Sequence, residues 1–173
     1  MRTAAQEDSE LASKFRRIMR RIASTVALIT ARDMDGQPRG LAATTANSLS
    51  FDPPSMVVCV NRDASAFPAI EYSKAFCVNL LSTRERAILD LFADGGSRHL
   101  RFGDERWSVG PAGLPYLAGA PACVFCRTDG FLDYGSHRVL VGRIDDIVTS
   151  GDTGDPLVWL ASGVCRAVPL DGK

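Results

Sequence analysis

Apolar residues recur at helical spacing near the start of the chain, at Leu11, Phe15, Ile18, Met19 and Ile22, while Arg16, Arg17, Arg20 and Arg21 fall on the other side. That period predicts an amphipathic helix from about Leu11, with Asp8 or Ser9 placed to cap it. After Ile22 the texture changes to short β-rich apolar runs: Val26 to Ala31, Met56 to Val60, Phe76 to Leu80, Ala122 to Cys126, Val139 to Ile144 and Leu157 to Leu160. These read as strands, and the punctuation between them is turn chemistry. Asp35-Gly36 is a hairpin signal, Asp52-Pro53-Pro54 forces an extended break, and Gly95-Gly96 and Gly110-Pro111 mark loops. Two short helices interrupt the strands. One is predicted from Ser65, as N-cap, to Tyr72; the other starts at Ser82, where Ser82 and Glu85 spell a capping box ahead of Ile88, Leu89 and Phe92. Strands dominate and helices do not alternate with them, which disfavours a parallel βαβ sheet. A mainly β chain, with a closed antiparallel barrel and peripheral helices, fits better. The chain shows no internal repeat or linker, so the expected division is a tail at 1–10, one domain at 11–169 and a tail at 170–173.

Composition narrows the field. With 173 residues, 46% hydrophobic and 23% charged, the chain suits a single soluble globular domain with a substantial core. Lys+Arg and Asp+Glu both total 20, and a zero net charge argues against nucleic acid as the main partner. Five cysteines, mostly inside apolar runs, read as reduced core thiols rather than a disulfide framework. No apolar run approaches the ~18 residues of a membrane span. The stretch Ile22 to Ala31 behind four arginines imitates a secretory signal, but Glu7, Asp8 and Glu10 lie in the supposed positive region and Ser24, Thr25 and Thr30 interrupt the apolar part. A cytoplasmic protein without membrane contact is expected.

Absences prune the chemistry first. There is no Gly-x-Gly-x-x-Gly and no P-loop, and His99 and His137 alone cannot build a multi-histidine metal site. Cys123 and Cys126 form a C-x-x-C in a predicted strand, where residues three apart point to opposite faces; packing is their expected role. Three polar clusters remain. Gly40 to Ser50 sets Thr44, Thr45, Asn47, Ser48 and Ser50 beside small residues, so that hydroxyls, an amide and uncrowded backbone N–H groups can surround an anionic ligand; the plainer reading is a Thr/Ser-rich strand and loop. Asn61 to Ser65 offers the planar fork of Arg62 and a helix start at Ser65, or is simply a polar loop. Gly135-Ser136-His137 opens a strand with a histidine whose commoner role is a surface hydrogen bond.

Taken in order, these pieces resemble the flavin reductase-like family. The resemblance runs from about Phe15 to Trp159. It is carried by Gly40-Leu-Ala-Ala-Thr-Thr leading to Ser48-Leu-Ser50 and Pro53-Pro54, by Cys59-Val-Asn-Arg62, Phe76-Cys-Val-Asn-Leu80, Arg101-Phe102 and Leu117-Ala-Gly-Ala120, and by Gly135-Ser-His137 with Val141-Gly-Arg-Ile144. It implies a split β-barrel of the FMN-binding type, a homodimer that binds FMN or FAD, takes electrons from NADH or NADPH, and supplies reduced flavin to a flavin-dependent monooxygenase. Carried over by position, Thr44, Thr45, Asn47, Ser48 and Ser50 meet the flavin, with backbone groups from Ala43 through Ala46 to Asn47. Asn61, Arg62 and Ser65 form the neighbouring wall, Phe102 belongs to the cofactor site, and His137 is the catalytic residue on the nicotinamide side. No metal is implied. Ser136 stands where the family often has Asp, and Ala42 where it often has Thr. Two alternatives remain open at this level: a flavin-binding split-barrel protein without reductase turnover, and an FMN-retaining oxidase of the pyridoxamine-phosphate oxidase type, whose extra cations this chain would have to find in Arg62 and Arg98 to Arg101.

Overall fold

The structure, a computed structural model, describes residues 4–151 and 154–170. Helix α1 (Ala4–Met19) leads into strand β1 (Ser24–Thr25), followed by β2 (Ala27–Arg32), β3 (Pro38–Ala43), β4 (Ala46–Phe51) and β5 (Pro54–Asn61). Then come α2 (Phe67–Ser73), β6 (Ala75–Leu80) and α3 (Arg86–Ala93). The chain continues through β7 (Trp107–Val109), β8 (Pro115–Leu117), the long pair β9 (Ala122–Tyr134) and β10 (His137–Thr149), and ends with β11 (Leu157–Leu160) and β12 (Gly163–Arg166).

Seven strands form one antiparallel sheet in the order β3-β2-β6-β9-β10-β5-β4, with β1-β11-β12 and β7-β8 as small satellites. The β2–β3 hairpin turns at Asp33 to Gln37, where Asp33 Oδ1 accepts from the backbone N–H groups of Asp35 and Gln37 at 3.1 and 2.8 Å, as the Asp-Gly signal predicts. The closure expected from the strand pattern is not made by hydrogen bonds: β3 and β4 stand at opposite edges and do not pair. The sheet is nonetheless strongly curled. Six spacings of about 4.8 Å would separate the edges of a flat sheet by about 29 Å. Only Thr44 and Thr45 lie between β3 and β4, so Ala43 and Ala46 are at most about 11 Å apart. Accordingly one apolar cluster draws on every strand of the sheet, from Ile29, Ala43 and Ala46 to Val58, Val78, Val124 and Leu140, and is covered by Phe67 and Ile70 of α2.

The opposite face packs Leu28, Cys77, Cys123 and Phe125 against Ile88, Leu89 and Phe92 of α3 and against Leu114 and Leu117. Cys123 and Cys126 thus lie in different clusters on opposite faces, as alternation requires. Burial pushes the Cys126 thiol up to about 12 and that of Cys77 further still, so both stay protonated packing groups. Burying Asn79 requires partners for its amide: Nδ2 donates to the Leu28 carbonyl (3.0 Å) and to Thr30 Oγ1 (3.1 Å), and Oδ1 accepts from the Leu117 N–H (2.8 Å).

The helices differ from their sequence expectations in detail. α1 begins at Ala4 and contains Asp8 and Ser9 rather than being capped by them; the segment from Ala4 is itself rich in good helix formers. α2 runs from Phe67 to Ser73 with Ala66 at the N-cap and no side-chain cap, so Ser65 does not serve that purpose. The Ser82–Glu85 capping box is present, opening a 3₁₀ turn (Thr83–Glu85) that continues into α3. Among the described residues no helix is long and apolar enough to cross a membrane.

Candidate functional site

Side chains of adjacent antiparallel strands share a face with their register partners. β10 pairs with β5 so that His137 lies opposite Asn61, Val139 opposite Cys59 and Val141 opposite Val57. β9 continues the same rows with Tyr134 opposite His137 and Leu132 opposite Val139. On the other side of β5, Asn47 pairs with Val57, and Thr45 lies beside Cys59, donating to its carbonyl (3.1 Å) and accepting from its N–H (3.3 Å). Val58, Val60 and Leu140 face the core, so all of these partners face outward. The result is an apolar platform of half-buried Val57, Cys59, Val139 and Val141, bordered by Thr45 and Asn47 along one edge and by Asn61, His137 and Tyr134 across one end.

That end is built by two loops. After β5, the Asn61 side chain accepts from the Asp63 N–H (2.9 Å) and closes a tight turn. Arg62 bridges to the β9–β10 turn: its N–H donates to the Ser136 carbonyl (3.0 Å), and Nη2 to the Gly135 carbonyl (2.6 Å). Gly135 sits at φ +56°, a conformation that disfavours residues with a Cβ. The Ser136 hydroxyl lies 2.9 Å from His137 Nδ1, which leaves Nε2 exposed at the end of the platform. The hydroxyl therefore holds the imidazole at the position where the sequence lacks a carboxylate.

The predicted site residues do not all converge. Ala43 and Ala46 are core residues, and Thr44 lines a separate groove with Leu89, Trp159 and Val164. Ser50 is turned to its own loop, donating to the Asp52 carbonyl (3.0 Å) and accepting from the Asp52 N–H (3.1 Å). Asn47 and Ser48 are exposed on β4, and neither side chain has a hydrogen-bond partner among the described residues. Ser65 and Phe102 sit apart, on a small cavity with Arg98 and Arg101. Phe102 packs edge-on to Phe92 at 5.6 Å and against Trp107 at 4.7 Å. The platform itself had a signal in the sequence, since Val57, Cys59, Val139 and Val141 alternate with core residues. Pairing the two strands required the register.

A flat aromatic nucleotide suits this arrangement. The half-buried valines offer ring-sized apolar surface, the edge strand β4 keeps backbone N–H groups unpaired along one side, and Asn47 and Arg62 supply polar donors, whereas Ser48, paired with the core residue Met56, alternates to the other face. Among the described residues there is no cluster of His, Cys, Asp and Glu that could hold a metal.

A family model described as "Flavin reductase like domain" matches residues 19–167. The FMN reductase (NADH) RutF of Cronobacter turicensis is 35% identical over 148 residues, spanning 84% of this chain and 86% of that protein. The reductase component of the FADH(2)-dependent resorcinol hydroxylase of a Rhizobium species is 33% identical over 156 residues, spanning 90% and 87%. In three dimensions the flavin reductase domain protein of Arthrobacter sp. FB24 superposes with a TM-score of 0.84 at 29% identity, covering 92% of this chain and 98% of that one.

Proposed function

The chain belongs to the flavin reductase-like family, and on that premise we propose that the outward platform between β4 and β10 is where it binds flavin. The protein is an NAD(P)H-dependent reductase of FMN or FAD that supplies reduced flavin to a partner monooxygenase. The observation that carries the site is the common outward face of Thr45, Asn47, Asn61 and His137 around Val57, Cys59 and Val139.

Bound together, the two nucleotides supply the hydride chemistry, one giving and the other accepting. This chain's residues bind, orient and exclude water. The apolar platform removes water from one ring face. Asn47 and the free N–H groups of β4 donate to the polar side of the nucleotide. Arg62 keeps guanidinium donors beyond the one that holds Gly135, and these take the flavin phosphate. His137, held at Nδ1 by Ser136, presents Nε2 to orient the nicotinamide or hold a proton at the ring edge. None of these roles needs a protein nucleophile.

The curled sheet is read as the split barrel of this family. Leu132 and Tyr134 remain 64% and 80% exposed on the same outward face, an apolar patch suited to a second copy of the chain, so the working unit is a homodimer. Sedimentation of a stable monomer that still binds flavin would contradict this.

The test is NAD(P)H oxidation with added FMN or FAD, followed at the nicotinamide band. Arg62→Ala should weaken flavin binding by roughly 1.5–3 kcal/mol, the worth of a charge-assisted contact. An unchanged flavin dissociation constant would remove Arg62 from the site.

A further inference from the structure

Strand β9 runs past its neighbour β6. Their pairing spans Leu80 opposite Ala122 to Ala75 opposite Arg127, and one further bond, from the Thr128 N–H to the Lys74 carbonyl (2.8 Å), closes that ladder. From Asp129 to Tyr134 the strand is an edge whose only backbone partner among the described residues is β10. The turn that carries His137 therefore stands at the end of a hairpin backed by β5 on one side and by no strand on the other.

Packing does not make up the difference. Between this edge and α2 lies a cavity of about 370 Å³, walled by Phe67 and Ile70 of the helix and by Phe131 and Leu140 of the hairpin. A gap of that size removes the side-chain contacts that would otherwise hold helix and strand at a fixed distance. The Thr128 hydroxyl, from a residue of the same wall, is buried without a hydrogen-bond partner.

One side chain crosses the gap. Arg138 lies opposite the core residue Val60 of β5, so it points inward where His137 points out. Its side chain is only 13% exposed. Nε and Nη2 donate to the two oxygens of Asp133, its register partner on β9 (2.6 and 2.8 Å), and Nη1 donates to Glu71 Oε1 on α2 (2.7 Å). The guanidinium carbon lies 4.1 Å from the centre of the Phe131 ring and 5.1 Å from that of Phe67, one ring from each wall. A planar fork held along three N–H directions fixes orientation as well as distance, which a point charge does not. Among the described residues the contact with Glu71 is the only ion pair between α2 and the hairpin.

We propose that Arg138 is a positioning residue of the reductase: by tying Asp133 to Glu71 it fixes the hairpin end on α2 and so sets where His137 Nε2 stands. The proposal rests on the reductase reading, which gives His137 its role on the nicotinamide side. Arg62 holds the turn from the β5 side through the Gly135 and Ser136 carbonyls, and Arg138 holds it from the inward face, away from the platform.

The Glu71 side chain is 55% exposed, so Glu71→Ala cuts the tether without opening the core. In the ligand-free variant the heteronuclear NOE of the Gly135, Ser136 and His137 amides should fall, a sign of added fast motion, while the urea midpoint holds. In steady state kcat should drop roughly threefold to tenfold, as a small misplacement of an orienting group would cause, with the flavin dissociation constant unchanged. In a His137→Ala background the same substitution should add no further loss, because the tether acts through that ring. Arg138→Gln should reproduce these effects, and Arg138→Lys should recover part of kcat. Unchanged NOE values or unchanged kcat in Glu71→Ala overturn the proposal. So does a kcat loss that persists in the His137→Ala background or that comes with weaker flavin binding. If the wild type oxidises no NAD(P)H with any flavin, the reductase reading fails, and the NOE values still decide whether Arg138 holds the turn.

Discussion

Asn79 shows how one residue ties the fold together. Its buried amide links β2 through Leu28 and Thr30 to β8 through the Leu117 N–H, and Thr30 Oγ1 in turn donates to the Pro115 carbonyl at 2.5 Å. Truncating it leaves the buried Leu117 N–H without its partner as well as a void. Asn79→Ala should therefore cost about 3 kcal/mol, read as a lower urea midpoint with the slope unchanged. His137 depends on its neighbour in a different way. A hydroxyl at 2.9 Å from Nδ1 orients the ring without charge. In Ser136→Ala the ring loses that restraint, so turnover of NADH or NADPH should fall severalfold while flavin affinity holds. Steady-state kinetics with both substrates varied read this directly, and unchanged turnover would show that the hydroxyl does not orient the ring.

At the level of elements, the features visible in the sequence are the longer apolar runs, such as β6, and those whose partners lie a few residues apart. The capping box is one: Ser82 accepts from the Arg84 N–H at 3.3 Å, and Glu85 Oε2 accepts from both the Ser82 N–H (2.9 Å) and its hydroxyl (2.6 Å). Ser82 is only 2% exposed, so Ser82→Ala should destabilise by about 1–2 kcal/mol in denaturant unfolding. A loss near zero would mean that α3 is held by its apolar face alone. Strands too short to show an apolar run were not visible. β7, β8 and β12 are three or four residues long and exist because each finds an antiparallel neighbour. Ser65 looked like an N-cap by residue type, yet the helix starts two residues later because Phe67, Ala69 and Ile70 are the positions that reach the core. Gly142 is another case. A Cβ there would lie 2.5 Å from Phe76 Cζ and 2.9 Å from Cys126 Cβ, a demand made by the neighbouring strands and not by any turn.

At the scale of the whole molecule, the hairpins β2–β3, β4–β5 and β9–β10 follow from chain adjacency, whereas the placement of β10 beside β5 does not. That pairing sets His137 opposite Asn61 and so decides which polar clusters of the sequence become neighbours. Thr44, Ser65 and Phe102, grouped with these clusters by motif, lie on other surfaces. The loops that hold these surfaces are tied by charge. Asp94 is held below the usual carboxylate range by its hydrogen bond from Ser97, Asp104 by Arg106, and Asp133 by Arg138. Arg138 grips Asp133 through Nε (2.6 Å) and Nη2 (2.8 Å), reaches Glu71 at 2.7 Å and lies 4.1 Å over the Phe131 ring. A carboxyl whose pKa is lower folded than unfolded stabilises the fold above the unfolded value, here near 3.8, and that contribution is lost as pH falls through the folded value. The melting temperature should thus be flat from neutral pH to about pH 5 and fall steeply below about pH 4. Asp133→Asn removes one of the three groups, so it should melt lower than wild type at neutral pH and lose less on acidification, the two curves converging as the solution becomes acid. Curves that stay parallel down to the acid transition would mean that the Asp133–Arg138 pair contributes nothing to stability, and that the β9–β10 end of the site is held by backbone pairing alone.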